Sequence, residues 1–181
     1  MSLTPTLLTP GDVMAKMARE HVRAVNSHDE VSIGDHLYNF CITSLAMCDH
    51  LLEHLGKIEF NERQEETKRW AFPKELKVAH DIGNSSKHCV LRDRRTKKPR
   101  KPSAQDIAMA QSQREIVSLN PDGSTNHSWI ASVQLSIVTD DVEYDLWEFM
   151  STVREFWEAL LLAESIPFEK LPHRENLPFT T

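Results

Sequence analysis

Residues 79–88, Ala79-His80-Asp81-Ile82-Gly83-Asn84-Ser85-Ser86-Lys87-His88, bring two imidazoles, a carboxylate, a carboxamide and an ammonium group close together. Pro73 suits a helix start, and the apolar spacing after it predicts a helix from Lys74 to Cys89. On that helix Lys77, Asp81, Asn84 and His88 share one face, opposite the apolar stripe, and His80 and Lys87 lie on a flank. Side chains three or four residues apart can touch, which links Asp81 to Asn84 and Asn84 to His88. A carboxylate or carboxamide beside an imidazole fixes its tautomer and favours its protonated form. Asp81, Asn84 and His88 are therefore the candidate catalytic residues, with His88 as general acid or base. Lys87, Arg92, Arg94 and Arg95 are the candidate phosphate ligands. A purely structural reading is also open, because Asp81, Asn84 and His88 could satisfy buried hydrogen bonds or a dimer contact. His88 near a helix C-terminus is favourable against the dipole without any chemistry.

The charge distribution sharpens this choice. The chain has 181 residues and a net charge of −6. Residues 92–101 hold seven basic side chains against Asp93, a net +6, so the remainder carries −12. A basic island on an acidic body suits a phosphate-bearing partner such as RNA. It also suits a solvated loop, since no aromatic residue interrupts the run.

Other constellations are thinner. His50 and His54 are four apart on a predicted helix, a spacing that can chelate zinc. The order His-Leu-Leu-Glu-His is not HEXXH, and further ligands such as His21 or His80 would have to come from other helices. No metal or cofactor is expected. Cys41, Cys48 and Cys89 form no CxxC pair and fall in apolar helical patterns, as reduced core thiols do. There is no GxSxG turn, no GxGxxG pattern and no phosphate loop. The start of the chain lacks a secretory signal, and no apolar run is long enough for a membrane span. A cytoplasmic protein is expected.

The elements that must position these residues read as one domain, 1–181. A leader covers 1–10, the first helices 11–90, a basic loop 92–103, a β-hairpin 114–139, a C-terminal helix 142–165 and an extended tail 167–181. Thr9-Pro10-Gly11-Asp12 opens a helix with Val13, Met17, His21 and Val22 near its inner side. A second helix, 31–55, has an inner stripe of Ile33, Leu37, Cys41, Leu45, Cys48, Leu52 and Leu55. Gly83, Ser85 and Ser86 make the 74–89 helix able to approach a neighbour closely. Residues 103–113 are ambiguous, a short helix being one reading, and the period then switches to two over Trp129, Ala131, Val133, Leu135 and Ile137. Asn120-Pro121-Asp122-Gly123-Ser124 is the connecting turn, and Trp129 is the expected anchor of the hairpin on the helices. The fold class is mainly α, an up-and-down four-helix-type bundle with an inserted antiparallel β-hairpin.

Over residues 30–165 this pattern resembles the HEPN family of helical-bundle ribonucleases. The local resemblance rests on His80 to His88. The family's motif places an arginine upstream of the histidine; here Lys77 and His80 stand there. The phrase from Asp81 to His88 also resembles that of uncharacterised bacterial proteins of similar size. The HEPN resemblance implies a metal-independent ribonuclease or RNA-binding module, commonly a homodimer. His50 and His54 prompt a second likeness, to DinB-like metal-dependent bundle hydrolases. The reading that fits a well-patterned bundle without a complete catalytic motif is a non-enzymatic, dimeric interaction or accessory module.

Overall fold

The structure, a computed structural model, describes residues 7–85, 96, 98, 99 and 104–170. In chain order the elements are α1 (Pro10–Asn26), α2 (Glu30–His54), α3 (Phe60–Arg69), α4 (Lys74–Ser85), β1 (Ala104–Leu119), β2 (Thr125–Thr139), β3 (Glu143–Asp145) and α5 (Leu146–Ala163). The fold is mainly α with an antiparallel β part.

Each long helix starts where a side chain can take up free backbone N–H groups. Thr9 Oγ1 accepts from the Asp12 amide at 3.1 Å, and the Thr9 amide donates back to Asp12 Oδ2 at 2.9 Å. Asp29 accepts from the Ser32 amide at 2.9 Å. Asp145 accepts from the amides of Trp147 and Glu148. Helix α2 stops at Gly56, whose φ of 68° lets the Lys57 amide turn back onto the Leu52 carbonyl at 2.9 Å.

Helix α2 is the hub, packing against α1, α4 and α5, while α5 also packs on α1 and α4. The interior holds Met14, Met17, Leu37, Phe40, Met47, Leu51, Leu76, Phe149, Met150, Trp157 and Leu161, all fully buried. Inside it, Trp157 Nε1 donates to Ser44 Oγ at 2.9 Å, so that bond spans α5 and α2. The α2 stripe differs from the sequence expectation in its second half. Phe40, Ser44, Met47 and Leu51 are buried, whereas Leu45 and Cys48 are only partly so. Phe40, Ser44, Met47 and Leu51 each precede a residue of the expected stripe by one position, about 100° round the helix, and both rows contribute buried residues because α1, α4 and α5 pack on α2 over a wide arc.

Helices α2 and α4 come close together at Gly83. A Cβ there would lie 2.9 Å from the carbonyl oxygen of Cys41 and 3.3 Å from the Ile42 amide nitrogen. The small residue expected to permit close packing on α4 does so against the α2 backbone.

Strand β1 pairs with β2 from Ala104–Thr139 to Leu119–Thr125, with one irregularity between Ala104 and Asp106, and β3 pairs with β2 only over Ser136–Val138. The connecting turn has the Gly123 amide donating to Asn120 O at 2.9 Å, with Gly123 at φ 84°. The ambiguous stretch over 103–113, for which a short helix was one reading, is strand from Ala104 onward. Ala108, Met109 and Ala110 favour helix intrinsically, and cross-strand pairing overrides that preference. The last helix begins at Leu146, not Val142, because Glu143–Asp145 are held in the sheet and Asp145 is its cap. The Lys74 helix is described to Ser85; its expected end at Cys89, the basic loop up to 103 apart from Thr96, Lys98 and Pro99, and the tail from 171 lie outside the described residues.

Only the base of this ribbon meets the helices. Leu135 and Ile137 are buried and Val133 packs on the core. Trp129, the expected anchor, is 62% exposed. It shares the face of Leu135 but stands six residues further out, about 20 Å along the strand. The helices end before it.

The Gly83 contact is with backbone, which has little room to retreat. Gly83→Ala is expected to lower stability by about 1–3 kcal/mol, as overpacking does. Gly34, in the same fold, has nothing within 4 Å of a built Cβ. Gly34→Ala is expected to raise stability by up to about 1 kcal/mol. Urea unfolding midpoints of the two variants check both signs.

Candidate functional site

The face predicted on α4 does not survive as one surface. Asp81 is 6% exposed and faces inward, not away from the apolar stripe. Helix α4 is packed by α2, α5 and β1, so its solvent arc is narrower than a one-sided amphipathic helix would have. Asn84 is half-buried and Lys77 is exposed. His88, Lys87, Arg92, Arg94 and Arg95 lie outside the described residues. Of the three candidate catalytic residues, the structure thus puts Asp81 in the interior and Asn84 at its margin.

Two clefts flank α4. One, of about 290 Å³, is lined by Lys74, Lys77 and Val78 of α4 and by Thr139, Asp140, Asp141, Val142 and Tyr144 of the β2–β3 connection. Its Tyr144 hydroxyl holds its proton more tightly than usual through burial and then through the carboxylates of Glu75 and Asp141.

The second cleft, of about 300 Å³, lies among α2, α3 and α4. Cys48 and Asp49 of α2, Arg63 and Thr67 of α3, and Phe72 and His80 around the start of α4 line it. Arg63 is fixed there by Asp49, with Nη2 to Oδ1 at 2.6 Å, and by the Lys57 carbonyl at 3.2 Å. The His80 ring packs edge-on against Phe72, centroids 5.5 Å apart, and over Trp157 at 6.5 Å. A thiol, an imidazole and a guanidinium therefore open onto one cleft. Spacing could not reveal this group, because its members come from three helices far apart in sequence.

His50 and His54 occupy the last turns of α2, His50 partly and His54 fully exposed. His21, considered as a further ligand, is instead buried against Trp147, ring centroids 4.4 Å apart. Among the described residues, no group of three or more His, Cys, Asp or Glu is arranged to hold a metal ion. Cys41 is a buried thiol, and burial raises its pKa far above the reactive range. Among the described residues no helix is long and apolar enough to cross a membrane.

The interior is unusually polar on the α1 side. Glu20, 5% exposed, accepts from Arg23 Nη1 at 3.1 Å and meets His36 Nδ1 at 2.8 Å, which ties α1 to α2. Arg154 is 3% exposed, with Nε 3.2 Å from Glu158. Neither ring nitrogen of His21 has a hydrogen-bond partner.

The remaining candidate surface is the β1–β2 ribbon. Ile116, Val117, Leu119 and Trp129 are exposed along it, at 42%, 54%, 76% and 62%. Strand β2 has no Asp, Glu, Lys or Arg from Thr125 to Thr139. Trp129, the expected anchor of the hairpin on the helices, belongs to this exposed row.

Comparison with protein-family models, with curated proteins and with solved structures finds no match.

The His21 environment predicts a pH response. Burial first, and the Arg154 charge second, push its pKa down to about 3, against 6.5 for an unperturbed histidine. The unfolded chain binds a proton at His21 below about 6.5 and the folded chain does not until about 3. Stability from this residue is therefore complete above pH 6.5 and is lost as pH falls toward 3. The contribution is on the order of a few kcal/mol. Urea titrations at pH 7.5 and pH 4.5 are expected to show a smaller loss of stability on acidification in His21→Leu than in the native chain.

Proposed function

We propose that this chain is a non-enzymatic interaction module of the cytoplasm, an up-and-down bundle of α1, α2, α4 and α5 that carries the β1–β2 ribbon as its binding arm. The observation that carries the reading is the ladder from Ala104–Thr139 to Leu119–Thr125, of which, among the described residues, Ala104, Val133, Leu135 and Ile137 pack on the core near its root, while Val117, Leu119 and Trp129 toward its tip are exposed. A two-stranded ribbon is marginal in water by itself. An exposed strand without charged side chains, as β2 is from Thr125 to Thr139, invites an apolar surface or another strand. The burial of Asp81 supports a structural role for the α4 cluster, since a general acid or base must reach its substrate.

Photo-crosslinking amino acids placed singly at Leu119 and Trp129, compared with Val31 on α2, test this in cells. Covalent adducts are expected from the two arm positions and not from Val31, which is 71% exposed. Absence of adducts from both arm positions would remove the reading.

The basic island supports a second reading, an RNA-binding or metal-independent ribonuclease module resembling HEPN proteins, with residues 92–101 on the phosphates. Binding of single-stranded RNA is then expected to weaken steeply with salt, and neutralising Arg92, Arg94 and Arg95 to glutamine should flatten that slope. Cleavage that persists in His88→Ala would exclude the ribonuclease form.

A further inference from the structure

We infer, resting on the reading of the ribbon as a binding arm, that its tip recognises an arginine side chain of a partner protein. The guanidinium stacks on the indole of Trp129 and donates to the carboxylate of Glu115. Apolar side chains beside that arginine cover Val117 and Leu119.

The register puts these residues on one face. Glu115 pairs with Trp129, Val117 with His127 and Leu119 with Thr125. Side chains of paired residues share a side of the sheet, with Cβ atoms about 4.5–5.5 Å apart. Leu135 and Ile137, buried at the root, belong to the same face. Toward the tip, Val117, Leu119 and Trp129 are each more than half exposed. Among the described residues of this face, Glu115 is the one Asp, Glu, Lys or Arg. An indole, two aliphatic side chains and a single carboxylate are complementary to a cation with apolar neighbours.

Glu115 is also held in position. Its Oε1 lies 2.7 Å from Nδ1 of His127, and Nε2 of that ring lies 3.3 Å from Thr125 Oγ1. The chain of contacts runs diagonally across the ribbon and fixes the carboxylate next to Trp129, with Oε2 left to accept. A side chain already fixed loses less conformational entropy on binding than one that must be ordered by its ligand.

The combination of indole and carboxylate selects the cation. A guanidinium is planar, so it can lie on an aromatic face and still donate N–H bonds in its own plane to a carboxylate. An ammonium is a more strongly hydrated point charge and gains less from the ring. A nucleobase would also stack on an exposed indole. Here, though, the carboxylate paired with Trp129 repels phosphate, and β2 offers it no lysine or arginine. The face therefore favours a protein segment over a nucleic acid.

Fluorine NMR on the full chain tests this. With 5-fluorotryptophan in place of its 4 tryptophans, Trp129→Phe identifies the Trp129 resonance. The probes are acetyl-Val-Arg-Val-amide and the same peptide with citrulline, which keeps the shape of arginine and lacks its charge. The arginine peptide is expected to shift the Trp129 resonance and to leave those of the buried Trp70 and Trp157 in place. The citrulline peptide should bind about tenfold more weakly, since it loses both the cation–π contact and the ion pair. Glu115→Gln should weaken the arginine peptide by about threefold and leave the citrulline peptide unchanged. Glu115 is exposed, and unmoved Trp70 and Trp157 resonances in the variant report an intact core.

No shift with the arginine peptide, equal binding of the two peptides, or an arginine preference that survives Glu115→Gln would each overturn the inference. So would a Trp129 resonance moved by oligouridylate and not by the arginine peptide. Failure here is distinguishable from failure of the broader reading. Crosslinked adducts at Leu119 and Trp129 that form in equal yield in Glu115→Gln would keep the binding arm and remove the arginine.

Discussion

The contact between the backbones of α2 and α4 is the constraint on which the rest of the molecule depends. At Gly83 the two helices come so near that a single methyl group would meet the Cys41 carbonyl at 2.9 Å. Ala79 and Leu76, one and two turns earlier, are fully buried in the same approach. That seats the start of α4 where Phe72 and His80 close over Trp157, whose indole N–H is committed to Ser44 of α2. One close crossing therefore fixes three helices together, with a hydrogen bond and an aromatic cluster on the same side.

Two consequences follow for the rest of the fold. Tight packing of α4 draws Asp81 into the interior, where a carboxylate is retained only with partners. On the other side, α5 reaches the core through Phe149, Val153, Trp157 and Leu161, and its N-cap Asp145 is the last residue of β3. The sheet is thus attached to the helices at one end only. β2 enters the core with Ile137, Leu135 and the partly buried Val133, and on the same face Trp129 is exposed. The arm is rigid at its root and apolar at its tip.

Much of the helical architecture was legible because its signals are local. Thr9 with Asp12, Pro73 and Gly56 mark helix ends through backbone hydrogen bonding that depends on adjacent residues alone. Gly83 could be read as a point of close approach for the same reason. The site was far less legible. A helical wheel assigns Asp81 to the polar face because it knows the residue type, whereas burial depends on how many elements surround α4. Cys48, Arg63 and His80 meet through tertiary packing alone, so no spacing announces their cleft. The strand from Ala104 was missed because alanine and methionine favour helix, and only the partner strand turns them into a ladder. Trp129 was taken for an anchor on its size and alternation, and neither reports how far the helices extend.

The arm and the basic island are not independent features. The basic run occupies the only stretch of chain between α4 and β1, so it is tethered to the root of the arm at Ala104. The ribbon therefore joins two unlike chemistries in sequence: seven basic side chains in the segment that leads into its root, and exposed apolar side chains at Val117, Leu119 and Trp129 toward its tip.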